Sequence, residues 1–310
     1  MRRKAVYDGV LDRQLRSVAS DGISIFLLER GNLRGALLHG SYLVNQMRAN
    51  HGLGVLETLV LGHAYIAVGL LTSQLKGNDR ISLNISCTGP VKGFSVESSA
   101  SGEIRGYLKQ NPIPRDDVSG DFDIHLLLRE GNLSVIKYLE DAKHPFNSQI
   151  RMSYGSIAED LASYFVISEQ TPTAFNLSVK FDREGRAVGA GGLFLQALPM
   201  ANEDVLKRVE EKVRTLPSLG SQFASGKNSD QIIKTELADF DPLIIGDRRA
   251  DFYCHCNKLR FAGFLAALPE GQLRDIKENG PFPLVTTCLN CNTAYSFSAD
   301  EVEEIYSPRS

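Results

Sequence analysis

Cys254-His255-Cys256 and, after the spacer 257–287, Cys288-Leu289-Asn290-Cys291 are the stretch on which the reading of this chain turns. Four of the chain's 5 cysteines lie here, as a C-x-C pair and a C-x-x-C pair. Two short pairs joined by a foldable spacer are what a four-thiolate zinc site needs: each turn aims two sulfurs at one ion, and the spacer folds back to bring all four within about 2.3 Å of it. The C-x-x-C half has the usual knuckle form. The C-x-C half sets its sulfurs closer along the chain, which suits a pair that also oxidises. Structural cysteines without metal, and disulfides of a secreted protein, are the alternatives.

The remainder of the 310 residues is long enough for a large domain plus a small one. With 43% hydrophobic and 23% charged residues, the composition is that of an ordinary globular chain. A net charge of −3 attracts neither nucleic acid nor an anionic membrane. Residues 246–310 carry seven Lys or Arg against nine Asp or Glu, whereas a ribbon that grips nucleic acid is normally basic. The basic start MRRKAVYDGV is followed by no apolar run, so no signal peptide is read there. The most apolar segment, Leu59 to Leu71, is about thirteen residues, which is short for a bilayer and reads as a buried helix. A reducing, cytoplasmic compartment is expected, favouring metal over permanent disulfides.

In chain order, GISIFLLE (22–29) reads as a strand and Gly31-Asn32 as a turn. Helical patterns follow over Ser41–Asn50 and Val55–Leu75, separated at Gly52 and Gly54, the second apolar on most sides and therefore central. His39, His51 and His63 lie in this region; their spacing supports no catalytic geometry, and core or surface histidines are expected. From Arg80 the period changes to two: ISLNISC, VKGFSVES and EIRGYLKQ form an antiparallel meander, with Cys87 in its first strand as an ordinary small residue. Residues 111–121 read as a loop, and FDIHLLL and LSVIKYL as two further strands around Gly131-Asn132. Ser156 and Glu159 have capping-box spacing ahead of the helix IAEDLASYFVIS. AFNLSVKF and AVGAGGLFLQAL are strands. The GAGG at 189–192 lacks the spacing and the Lys-Ser/Thr of a phosphate loop, and is expected where sheet and helix approach closely. Asn202 caps a helix with Val205, Val209 and Val213 on one face, GSQFASGKNS interrupts it, and a shorter helix runs from Ser229 to Asp241-Pro242. FAGFLAAL and Ser298–Ile305 read as helices, with PLVTTC and TAYSF as a hairpin bearing the second cysteine pair.

Taken together, C-x-C, a spacer of about thirty residues and CLNCNTAYSFS (288–298), with GEIRGYL (102–108), GSIAEDLASYFVISEQTPTAF (155–175) and GAGGLFLQALPMA (189–201), resemble the heat-shock protein 33 family over nearly the whole chain. The residues after Cys254-His255-Cys256, the region 109–150 and the additional Cys87 depart from the family pattern.

The resemblance implies an α+β fold. A sheet-rich core domain with packed helices would occupy 1–199, a helical linker 200–245, and a small ribbon-like zinc-binding redox-switch domain 246–310. It implies a redox-regulated, ATP-independent holdase in the cytoplasm, not an enzyme, that protects unfolding client proteins against oxidative and heat stress. Homodimerisation on activation is a further expectation. One Zn2+ per chain in the reduced form would be held by Cys254, Cys256, Cys288 and Cys291, and oxidation would join Cys254 to Cys256 and Cys288 to Cys291 with loss of the ion. A disulfide across one intervening residue is strained and hence readily reduced. His255 is expected to be a bystander rather than a ligand. The competing readings are a thiol–disulfide oxidoreductase acting through Cys288 and Cys291, and a constitutive zinc-ribbon interaction module.

Overall fold

The first structural question is what covers the apolar segment around residues 55–75. In the computed structural model, which describes residues 1–6, 9, 11, 13, 20–114, 123–199 and 201–307, it is a helix between two sheets. Strands β1 (Gly22–Leu28), β2 (Leu33–His39), β8 (Thr173–Phe181), β9 (Ala187–Ala197) and β10 (Leu243–Arg248) form the first sheet, in the order β10-β1-β2-β9-β8. Strands β3 (Arg80–Cys87), β4 (Gly93–Ser99), β5 (Glu103–Leu108), β6 (Gly131–Tyr138), β7 (Phe146–Arg151) and β11 (Asp251–Phe252) form the second, in the order β11-β5-β4-β3-β6-β7. Pairing is antiparallel except between β11 and β5.

Helices α1 (Ser41–His51) and α2 (Val55–Leu71) fill the space between the sheets. Helix α2 contacts β2, β8 and β9 on one side and β3, β4 and β5 on the other, so it is apolar all round because both faces are buried. A 3-10 turn extends it to Gln74, giving 20 residues, close to the Val55–Leu75 pattern expected and, by length and composition, long and apolar enough to cross a membrane. Here 83% of its most apolar window is buried by the two sheets.

Asp21 fixes the start of α1 from outside the helix. Its carboxylate accepts the N–H groups of Leu43 at 2.5 Å and Tyr42 at 3.2 Å, satisfying amides that no helical carbonyl reaches. Burial nevertheless dominates and pushes its pKa up to about 7. The folded protein therefore keeps a proton on Asp21 that the unfolded chain has released, so this group's contribution to stability falls as pH rises from about 4 to about 7. Compared with Asp21→Asn by chemical denaturation across that range, wild type is expected to lose ground by up to ~1.4 kcal/mol per pH unit. A pH-independent difference would refute the assignment.

On the outer face of the first sheet, Phe26, Leu28, Leu33, Leu37, Leu193 and Leu195 are covered by α5 (Glu203–Thr215), α6 (Leu219–Ala224) and α7 (Ser229–Glu236). The glycines at 189–192 are where this cover comes closest. A side chain at Gly189 would strike the backbone of Gly220 and Ala224, and one at Gly191 would strike the Phe223 ring. Close approach of helix and sheet is thus the role of GAGG, as its glycines suggest.

Three local expectations are corrected. FDIHLLL is not a strand: α3 (Ile124–Leu128) starts at Asp123, whose side chain accepts the His125 amide, and only its last two leucines are buried. The loop expected at 111–121 lies largely outside the described residues. GSQFASGKNS is not a simple break, because α6 forms within it, capped by Ser218. The reciprocal Ser156–Glu159 box ahead of α4 (Ile157–Ser168) is half made. Ser156 accepts the Glu159 amide, but its own N–H goes to Asp160, which also accepts from Ser153 and Tyr154. Strands β7 and β10, absent from the sequence reading, complete the sheet edges.

Candidate metal centre

After β10 the chain crosses from one sheet to the other. β11 lies parallel to β5, with Asp251 opposite Glu103 and Phe252 opposite Ile104, and the Tyr253 amide donates to the Ile104 carbonyl at 3.1 Å. Phe252 is fully buried against Tyr65 and His51, which anchors the two residues before Cys254 in the core. Cys254 and Cys256 follow, and Asn257 caps α8 (Lys258–Ala266) by accepting the Arg260 amide. Helix α9 (Glu270–Asn279), missed in the sequence despite Leu273 and Ile276 at helical spacing, then leads to a hairpin of β12 (Leu284–Thr287) and β13 (Ala294–Phe297). Its turn carries Cys288 and Cys291: the Cys288 carbonyl accepts the amides of Cys291 at 3.3 Å and Asn292 at 2.7 Å. Helix α10 (Ala299–Tyr306) closes the tail, with Ser298 and Glu301 forming a complete capping box.

These elements bring four sulfurs together. The Sγ atoms of Cys254, Cys256, Cys288 and Cys291 all lie within 4.8 Å of one another, and every one of these residues is buried. A tetrahedron with metal–sulfur bonds of about 2.3 Å has sulfur–sulfur edges of about 3.8 Å. Cys254 and Cys288 are 3.8 Å apart, Cys256 and Cys291 3.2 Å. The donors therefore fit an ion of zinc's size and preference for thiolate. Among the described residues this is the only group of His, Cys, Asp or Glu so placed.

The cluster polarises itself. Hydrogen bonds from the Cys288 and Cys291 thiols, with a smaller contribution from the Arg105 guanidinium, hold Cys254 far below the usual thiol range. The same sharing pushes Cys288 up to about 11 and Cys291 higher still. A cation in their midst would draw the protons off all four. The Tyr295 hydroxyl lies 3.1 Å from Cys256 Sγ and donates to that residue's carbonyl at 2.9 Å, while Cys291 Sγ bonds Thr293 Oγ1 at 3.2 Å.

The sheet-rich body contacts the turns directly. Asn50 Nδ2 donates to the Cys291 carbonyl at 3.0 Å, Asn292 Nδ2 donates to the Asn50 carbonyl at 3.1 Å, and the Gly106 amide faces the Asn290 carbonyl at 3.4 Å. Arg105 Nη1 reaches Cys254 Sγ at 3.6 Å. Nothing in the cysteine spacing signals Arg105 or Asn50. Thr293 and Tyr295 were within the quoted CLNCNTAYSFS stretch but had no assigned role.

The remaining candidates lie elsewhere. His255 points away from the sulfurs, and its Nε2 is 2.7 Å from Glu103 Oε2. Cys87 is a half-buried free thiol on β3, its pKa raised by burial. His39 bonds Ser41 and stacks on Phe223, while His51 packs edge-on to Phe252, so the histidines go to separate neighbours. Cys288 and Cys291 sit in a hairpin turn, not at the helix start after a strand that a thioredoxin-like dithiol uses.

Residues 21–298 match the family model described as Hsp33 protein. The 33 kDa chaperonin of Agathobacter rectalis is 32% identical over 88% of this chain and 95% of its own length. That of Desulforamulus reducens is 31% identical over 95% and 97%. The crystal structure of the 33 kDa chaperonin (heat shock protein 33 homolog) from Thermotoga maritima superposes with a TM-score of 0.82 at 29% identity, covering 93% of this chain and 98% of that one.

Proposed function

The chain belongs to the Hsp33 family, and on that premise we propose that it is a redox-regulated, ATP-independent holdase. In this reading Cys254, Cys256, Cys288 and Cys291 hold one Zn2+ in the reduced state. Residues 1–199 act as the core domain, 200–245 as the linker and 246–310 as the redox-switch domain. Its partners are unfolding cytoplasmic proteins, with a homodimer forming on activation, and it catalyses no reaction of its own.

The observation that carries the reading is the buried four-sulfur cluster at the end of a tail with little core of its own. Bound zinc would keep the four sulfurs deprotonated and cross-link the two turns. Peroxide then takes two electrons from each pair, Cys254 with Cys256 and Cys288 with Cys291. For each pair one S–S bond forms, one O–O bond breaks, and two waters leave, the two protons they need being taken from solvent because the sulfurs are already thiolates. The tail loses its cross-link and with it its hold on β5 and Asn50 of the body, and in this reading the helices on the outer face of the first sheet loosen in turn. The apolar residues beneath them, Phe26, Leu33, Leu37 and Leu193 among them, are the class of surface that binds unfolded chains.

Treatment with peroxide under mild heat is expected to release about one zinc per chain to a chromogenic chelator, in step with suppression of a client's aggregation. Equal suppression by the reduced, zinc-loaded protein would remove redox control from the account. The hairpin setting of Cys288 and Cys291 argues against a dithiol oxidoreductase, for which insulin reduction is the direct assay.

A further inference from the structure

Arg105 stands 149 residues before Cys254 in sequence, on a different element, yet its guanidinium is directed at that sulfur. Two features make this a built contact. Arg105 on β5 lies directly across from Glu97 on β4, and Glu97 Oε1 accepts from Arg105 Nε at 2.5 Å, which fixes the direction of the guanidinium. The pair is also largely covered, at 18% and 26% side-chain exposure, so its charge is poorly screened. Of the other charged groups nearby, Glu103 pairs with His255 and Asp251 with Arg3, while the Met1 ammonium donates to the Cys256 carbonyl at 2.7 Å rather than to a sulfur.

We propose that Arg105 is a positioning residue for the metal centre: through its hydrogen bond to Cys254 Sγ it makes retention of the ion depend on the tail being docked against β5. The inference rests on the four-thiolate reading above and deepens it. Four thiolates around a divalent ion carry a net charge of −2, and nothing within the 254–306 tail donates to Cys254 from a fixed positive group. The body supplies that charge, along with the backbone and side-chain bonds from Gly106 and Asn50. An N–H···S bond lowers the energy of a sulfur lone pair, so it weakens that sulfur's basicity while offsetting the accumulated negative charge. Because coupling between two events is reciprocal, anything that lifts the tail off β5 loosens the ion, and loss of the ion loosens the docking. The body is thereby a sensor of the centre as well as its target.

The test uses the full chain loaded with Co2+ as the probe, comparing wild type, Arg105→Gln, Arg105→Lys, Glu97→Gln and Asn50→Ala. Loss of the N–H···S bond raises the sulfur lone pair, so Arg105→Gln is expected to move the sulfur-to-cobalt charge-transfer band to lower energy. It is also expected to speed cobalt removal by excess chelator about 10–100-fold. Arg105→Lys should fall between it and wild type, and Glu97→Gln should move both readouts in the same direction by less. Asn50→Ala weakens docking without touching a sulfur, so it should speed removal and leave the band in place. Arg105→Gln matching wild type in band position and removal rate would overturn the proposal. If that variant fails to fold, unchanged behaviour of Glu97→Gln and Arg105→Lys overturns it instead. Wild type that binds no cobalt would sink the four-thiolate centre as well, which separates the two failures.

Discussion

Cys291→Ser is expected to abolish stoichiometric metal binding and to unfold the tail from α8 to α10 while leaving the two-sheet body intact. Cys291 is fully buried, 3.2 Å from the Cys256 sulfur, and a serine hydroxyl keeps its proton where a thiol gives its up. Apart from the cysteines, the only apolar residues the tail buries are Leu265, Leu273, Phe297 and Val302, supported by partly exposed residues such as Phe261 and Ile276. So small a core does not hold a segment of this length folded by itself. Metal binding worth about 10–16 kcal/mol is the largest single contribution holding the tail together. Hydrogen exchange should show protection lost across 257–306 and kept in β1–β6, with the same pattern in wild type after chelation. A metal-free tail that stays protected would refute the argument.

The second large effect is expected at Phe223. Its ring is buried at 1% exposure, stacks on His39 at 4.2 Å and 15°, and occupies the space that Gly191 leaves open. Phe223→Ala should cost about 3–5 kcal/mol, a large share of any domain's stability. That loss falls on α6, a helix of 6 residues that cannot persist unsupported. The helical cover over Phe26, Leu28 and Leu193 is then expected to loosen while the metal stays bound. On the proposed function, the reduced variant should suppress client aggregation without oxidant, which light scattering and zinc content measure together. Phe264→Ala, at a site 57% exposed on α8, should stay within about 0.5 kcal/mol of wild type and serves as the control. A Phe223→Ala protein that is destabilised yet still needs oxidant would show that the helical cover is not what restrains the holdase.

The elements misread from sequence share a physical character. Ile124–Leu128 is a short apolar run whose period cannot separate helix from strand. Phe146–Arg151 is an edge strand with only Ile150 turned inward, so no alternation marks it. Leu219–Ala224 contains a glycine and a serine, residues that favour helix ends, and is held by the groove it enters.

What the sequence determined by itself is everything carried by short spacing: the alternation that makes the meander, the capping residues Asn202 and Ser298, the helix apolar on all sides, and two cysteine turns each able to present two sulfurs. Such features are set by one turn of backbone or one pleat, and neighbouring residues encode them. Only the tertiary structure decided that β11 joins the far sheet beside β5, that both cysteine turns meet in one buried cluster, and that Arg105 and Asn50 of the body reach that cluster. Contacts between residues 149 and 241 positions apart depend on how whole sheets and helices pack, and no local period records that.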